Sequence, residues 1–268
     1  MTARRRLDAE LVRRGLAVSR EAAQRVIEAG LVTVAGAPAD KPSRMVAAAE
    51  PVEVLGPPSR FVSRGGDKLA GALERFAVRV EGRTALDAGA STGGFTDCLL
   101  QSGAARVLAV DVGHGQLDAR LRADERVEVH ERVNIRTLAP GALGTFDLVV
   151  ADLSFISLRA VLDSLLGACG ERGDLVLLVK PQFEAGKAAV DRGRGVITDP
   201  ETWRSALEDV ERALRGRGAV IMGWMVSPVR GSKGNVEFFV HARVEADSAS
   251  AVATGLGIDD ALAEAPLL

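Results

Sequence analysis

Apolar residues in the first thirty positions recur at helical spacing. Leu7, Leu11, Val12 and Leu16 form one stripe with arginines around it, which predicts a short first helix. Ser19 is placed to cap a second helix starting at Arg20, because its hydroxyl can accept from a free amide of the first turn. Glu21 then suits the positive end of the helix dipole, while Ala22 leaves no capping box. This helix turns Ala23, Val26 and Ile27 inward and stops near Gly30, after which Leu31–Val34 and Pro51–Leu55 read as short strands.

Pro57-Pro58 interrupts the pattern, and residues 59–63 have the character of a linker. From Arg64 the texture changes. Strands are predicted at Thr84–Asp87, Val107–Asp111, Val127–His130, Leu148–Asp152, Leu175–Lys180, Val220–Val226 and Val236–Val244, with helical spacing at Phe95–Gln101, Leu158–Cys169 and Thr202–Leu214. Such alternation implies an α/β fold, a mostly parallel Rossmann-like sheet with helices on both faces. The expected organisation is a small α+β domain over 1–58, a linker over 59–63, a large domain over 64–245 and a tail over 246–268 with at most a short helix.

Composition sharpens this division. The chain has 268 residues, 47% of them apolar, enough to bury a substantial core. Its net charge of −2 is unevenly spread: residues 1–62 hold ten basic and seven acidic side chains, the remainder 24 and 29. A basic front module on an acidic body is expected to meet a polyanion first. The two cysteines, Cys98 and Cys169, have no ligand cluster around them, so reduced thiols are expected and no metal site is predicted. No leader-like apolar run follows Met1, and no later run is long enough to cross a bilayer, which points to the cytoplasm.

The first strand of the large domain runs into Asp87-Ala-Gly89-Ala-Ser91-Thr-Gly93-Gly94-Phe95. Glycines at this turn let a backbone approach a ligand closely. Asp111, 22 residues after Gly89 at the next strand end, can accept from the ribose hydroxyls of an adenosine. The glycine spacing is neither a dinucleotide fingerprint nor a P-loop, and an acidic residue before the first glycine would repel a pyrophosphate. A cationic nucleoside fits better. S-adenosylmethionine is the expected cofactor, with Asp87, Gly89, Ser91, Gly93, Gly94, Phe95, Asp111 and Asp152 as candidate contacts.

Two lysines stand out in a chain with five lysines and 29 arginines. Lys180 ends the apolar run Leu175–Val179, and Lys68 opens an amphipathic helix. Arginine cannot give up its proton at working pH, whereas a lysine can. Asp152 ends another strand and Glu237 lies at the final one, so Lys68, Asp152, Lys180 and Glu237 are candidates for one catalytic cluster. An amine is a competent base only when neutral, and neighbouring cations and burial favour that form. The substrate that needs such help is a sugar hydroxyl.

Here the chain resembles the TlyA family of bacterial ribosomal RNA cytidine 2′-O-methyltransferases, which also carries the haemolysin name. The resemblance spans roughly residues 5–245. It rests on Arg6-Leu-Asp-x-x-Leu-Val-x-x-Gly-Leu, Ser63-Arg-Gly-x-x-Lys68-Leu, Asp87–Phe95, Asp152-Leu-Ser-Phe-Ile-Ser157, Val179-Lys-Pro-Gln-Phe-Glu184 and Gly234-Asn-Val-Glu-Phe238. It implies a class I, FtsJ-like methyltransferase domain with a Lys-Asp-Lys-Glu tetrad at Lys68, Asp152, Lys180 and Glu237, in which Lys180 is the base. It further implies an alpha-L RNA-binding motif in front, with Arg4, Arg5, Arg6, Arg20 and Arg25 as its candidate RNA contacts, weighed against an ordinary solvated face, and with ribosomal RNA of one or both subunits as partner. His114 departs from the residue expected in relatives, and a chain without tyrosine leaves base stacking to Phe155, Phe183, Trp224 or arginines, each of the aromatics being better suited to the core. The competing classes are a non-catalytic assembly factor on the same scaffold, a membrane-lytic protein and a small-molecule methyltransferase.

Overall fold

A computed structural model describes residues 4–55, 60–185, 195–231, 233–244 and 256–267. Pro57-Pro58, the first linker residue and the 245/246 boundary with the early tail lie outside the described residues. The chain divides into two compact units, Met1–Ser63 and Arg64–Leu268.

The first unit comprises β1 (Arg4–Arg6), α1 (Leu7–Arg13), α2 (Arg20–Glu28), β2 (Val32–Val34), β3 (Ala37–Pro38), β4 (Met45–Ala47) and β5 (Val52–Val54). Leu7, Leu11, Ala23 and Ile27 from the helices close on Val32, Val34, Val46 and Val52 from the strands to form its core. Ser19 caps α2, its Oγ accepting from Ala22 N at 3.1 Å. The predicted stripe runs too far: α1 ends at Arg13, the chain turns at Gly15 with φ of +71°, and Leu16 is left exposed. The strand Arg4–Arg6 was not foreseen. It has no buried face, and it exists through antiparallel pairing with Met45–Ala47.

The second unit follows the expected alternation. Its elements are α3 (Arg64–Arg75), β6 (Thr84–Ala88), α4 (Gly94–Gln101), β7 (Arg106–Asp111), α5 (Ala119–Arg122), β8 (Val127–Glu131), β9 (Phe146–Ala151), α6 (Leu162–Ala168), β10 (Cys169–Val179), α7 (Pro181–Glu184), α8 (Pro200–Arg215), β11 (Ala219–Val226), β12 (Phe238–Val244) and α9 (Ile258–Glu264). The seven-stranded sheet has the order β11-β12-β10-β9-β6-β7-β8. Only β12 runs against its neighbours β10 and β11. Strand order reverses beside β6, with β7 on one side and β9 on the other, and ligands of open α/β sheets bind outside the carboxyl ends at such a point.

Several strand and helix ends shift by a residue or two from the prediction, β10 starts at Cys169 instead of Leu175, and two differences bear on the site. Leu158–Cys169 is not one helix: a 3₁₀ turn at Leu158–Ala160 precedes α6, and Cys169 already belongs to β10. Glu237 falls just ahead of β12, not within it.

Candidate active site

The loop after β6 is shaped by what it must pass. Gly89 has a φ of +88°, and a Cβ there would lie 2.7 Å from the Asp152 backbone oxygen. At Gly93, φ is +97° and a Cβ would strike the Leu121 and Leu117 side chains. These glycines therefore allow the β6 and β9 ends to touch and the loop to turn into α4. Ser91 N donates to Asp111 Oδ2 at 2.8 Å, and Gly113 N to Asp111 Oδ1 at 2.6 Å, so this carboxylate gathers the loops after β6 and β7.

A cavity of about 580 Å³ opens at these strand ends, a size suited to a nucleoside cofactor. Gly89, Ser91, Asp111 and Asp152 line it; so do Asn134–Arg136 and Leu153–Ile156. The other predicted cofactor residues are not on its wall. Gly93 and Gly94 form the start of α4, and Phe95 is buried, its ring 6.2 Å from that of Phe239. Asp87 is fully buried below the loop, where Thr96 Oγ1 donates to its Oδ2 at 2.6 Å and its Oδ1 has no partner. Burial pushes this carboxyl up to about 7, with the charges of Asp152 and Asp111 adding to the effect and the Thr96 bond opposing it. An orphaned buried carboxylate oxygen, a glycine cradle and a ring of carboxylates fit a cationic nucleoside.

On the other side of β9 the four singled-out side chains form two ion pairs. Lys180 Nζ lies 2.5 Å from Asp152 Oδ1, and Lys68 Nζ lies 2.5 Å from Glu237 Oε2. Both lysines and Glu237 are less than a tenth exposed, while Asp152 faces the cavity. The register joins the pairs. Val179 of β10 stands opposite Phe238 of β12, which sets Lys180 across from Glu237 at the next rung. Glu237 can sit there because Gly231 has no side chain: a Cβ on it would be 2.6 Å from Glu237 Oε1. Ser154 Oγ accepts a further bond from Lys180 Nζ at 3.0 Å, and the Phe183 ring lies 5.9 Å from the same nitrogen.

The FtsJ-like methyltransferase family matches residues 61–244, and the S4 domain family matches residues 5–52. The chain is 50% identical to the 16S/23S rRNA (cytidine-2′-O)-methyltransferase TlyA of Mycobacterium tuberculosis over 264 residues, 98% of this chain and 97% of the relative. This chain belongs to the TlyA family of FtsJ-like methyltransferases. Hemolysin A of Brachyspira hyodysenteriae is 36% identical over 238 residues, 88% of this chain and 98% of that protein. A solved structure from Streptococcus thermophilus, bearing a provisional hemolysin designation, superposes with a TM-score of 0.76 at 36% identity, covering 100% of this chain and 97% of the other. Among the described residues of this TlyA-family chain, no helix is long and apolar enough to cross a membrane.

In this TlyA-family protein the five front-unit arginines are not equivalent. Arg6 donates to Asp8 through Nε and Nη2 at 3.1 and 2.9 Å, and Arg20 Nη2 joins them at 3.0 Å, both keeping substantial exposure. Arg4 and Arg5 lie exposed on β1, and Arg25 is half-buried in the last turn of α2. His114 is largely exposed, its Nδ1 2.7 Å from Glu131 Oε2, and is not on the cavity wall. Trp224 is core, as expected. Phe155 is the opposite: 91% exposed, on the cavity lip, with φ of +64°. Sequence reasoning did not single out Ser154 or Asn134–Arg136. Ser154 lies two residues after Asp152 in a stretch already noted, but only the fold shows which way it turns.

Proposed function

We propose that this methyltransferase places a methyl group on the ribose 2′-oxygen of a cytidine in ribosomal RNA, of one subunit or both. The observation that carries the reading is the pair of buried lysine–carboxylate contacts on one sheet rim, beside a cavity fit for S-adenosylmethionine. When bound, that cofactor supplies the methyl group.

Asp111 is assigned to the ribose of the cofactor, with Gly89 and Ser91 beside it; Asp87 supplies negative charge under the loop. The RNA hydroxyl must lose a proton as it attacks. Lys180 is the residue assigned to take it, with Asp152 and Ser154 fixing the direction of its Nζ. An amine accepts a proton only when neutral, and Asp152 stands ready to pair with the ammonium that results. Lys68 and Glu237 form the flanking pair; each keeps the other's buried charge compensated. Bringing hydroxyl and methyl into line supplies much of the remaining acceleration.

Unpaired bases of structured RNA commonly stack on aromatic rings, and the rim of the site presents one. Phe155 offers an exposed apolar face there, its ring 5.4 Å from that of Phe183. In the front unit, Arg4, Arg5, Arg6, Arg20 and Arg25 are assigned to RNA phosphates. The test is mass-spectrometric mapping of 2′-O-methyl nucleotides on ribosomal subunits incubated with the chain and cofactor. A new 2′-O-methylcytidine supports the reading; methylation confined to bases or to small molecules overturns it.

A further inference from the structure

The proposed reaction uses two loops, the one after β9 that carries Asp152 and Ser154 and the one after β10 that begins at Lys180. A third contact joins these same loops at their far ends. Glu184, four residues after Lys180, is buried. Its carboxylate accepts from Ser157 Oγ at 2.5 Å, from Leu158 N at 2.6 Å and from Arg159 Nε at 3.2 Å. Arg159 also donates from Nη2 to the Glu184 backbone oxygen at 3.1 Å and from Nη1 to Asp209 of α8 at 3.3 Å. The one-turn helix α7 sets the spacing, since Phe183 N and Glu184 N both return to Lys180 O, at 2.8 and 3.3 Å.

Residues 152–158 are therefore clasped twice by residues 180–184. At one end Lys180 holds Asp152 and Ser154; at the other, Glu184 holds Ser157, Leu158 and Arg159. Between the clasps run Leu153–Ile156, which form a wall of the cofactor cavity and include the left-handed, exposed Phe155. Such a backbone conformation in a bulky residue persists only when its surroundings over-determine it. A buried carboxylate is also costly unless its oxygens are bonded, and here three donors from a single short segment do that.

We infer that Glu184 is a positioning residue for methyl transfer: it fixes the segment 152–158 so that Asp152 and Ser154 hold the Lys180 amine on the reacting hydroxyl and Phe155 keeps its place on the lip. This rests on the function proposed above. The alternative is a plain cap for the 3₁₀ turn at Leu158–Ala160, which would affect stability alone.

The two are separated with the full chain carrying Glu184→Gln, Ser157→Ala or both, beside Lys180→Ala. Methyl transfer to ribosomal subunits, calorimetric cofactor affinity, melting temperature and hydrogen exchange of residues 152–158 are measured on each. For Glu184→Gln the expected loss in kcat is about thirtyfold, since small misplacements in a site cost up to a hundredfold. Cofactor Kd is expected to stay within about threefold, and the double variant to lose no more than about twofold beyond Glu184→Gln, because both break one clasp. Amides of 153–158 are expected to exchange faster while those of the sheet do not. Unchanged kcat, or a loss that tracks melting temperature alone, overturns the inference. Slow exchange at 153–158 in Glu184→Gln overturns it whatever the RNA assay shows. If the unaltered chain makes no 2′-O-methyl product, it is the functional reading that has failed, and hydrogen exchange still reports on the clasp.

Discussion

Two buried aspartates, Asp8 in the front unit and Asp87 in the catalytic unit, are treated in opposite ways. In the front unit Asp8 is completely buried, yet its oxygens receive Arg6, Arg20, Gln24 and the Ala9 amide. The Arg6 contact, with Gln24 and Arg20 behind it, holds the carboxyl far below its usual range against the opposing effect of burial. Glu10 is treated similarly by Arg13 and Arg14 and falls to about 2. In the catalytic unit Asp87 is equally buried but keeps one oxygen unpartnered, and burial raises it to about 7. A finished network fixes arginines on a surface. The unfinished one lies under the loop to which the proposed function assigns a cationic cofactor.

The sharpest way to break this contrast lies at the rim. Lys180→Ala is expected to lower product formation by about a thousandfold or more, the range for losing a general base, with cofactor affinity within a few-fold. Turnover at the wild-type rate would remove Lys180 as the base. Next in size is Asp87→Asn, expected to weaken cofactor binding by about tenfold or more at pH 8, where the carboxyl is ionised and a charged partner is lost, as read by calorimetry. The same variant tests the pH linkage. Asp87 keeps its proton in the native state up to about pH 7, whereas the unfolded chain gives it up near the usual 3.8, so its contribution to stability falls between those values and then levels. The melting advantage of Asp87→Asn in cofactor-free protein should therefore grow from pH 5 to pH 7 and flatten above. An advantage that does not change with pH would remove the buried-charge account.

Asp8 carries the opposite sign. Its lowered pKa means that its contribution is present above about pH 4 and lost progressively below it, as the unfolded chain takes up a proton that the folded carboxyl still refuses. Arg20→Ala should weaken binding to structured ribosomal RNA several-fold and reduce the salt dependence by about one counterion, as expected for one phosphate contact. An unchanged salt slope would assign Arg20 to holding Asp8 alone. The smallest effect is expected from Ser19→Ala, a loss of about 1 kcal/mol from the α2 cap, measured by denaturant unfolding.

How far the sequence carried the reading depended on whether the information was local. The strands of the parallel sheet announced themselves by continuous apolar runs such as Leu175–Val179, because strands covered on both faces need no polar positions. The strand Arg4–Arg6 could not be read that way, for it is exposed throughout and is defined by a partner forty residues on. The start of β10 was equally hidden: Cys169 pairs with Phe146, and the register then shifts before Asp174 meets Leu148. Lys68, Asp152, Lys180 and Glu237 stand out by residue type, Asp152, Lys180 and Glu237 also by their places near strands and Lys68 by its place at the start of an amphipathic helix. Their pairing came only with the fold, since Lys68 and Glu237 are 169 positions apart. Phe155 was misjudged because a phenylalanine in an apolar context ordinarily belongs inside, and nothing local shows that its backbone turns left-handed.

The antiparallel strand β12 is inserted between β10 and β11, and it arrives after every other strand of the sheet has been made. Glu237 comes with it. During synthesis, the nascent sheet thus has a gap beside β10, and Lys68 has no carboxylate to meet until that gap is filled. A chain lacking this strand would lack the Lys68–Glu237 pair, so on the function proposed above the order of translation delays methyl transfer until the domain is nearly whole.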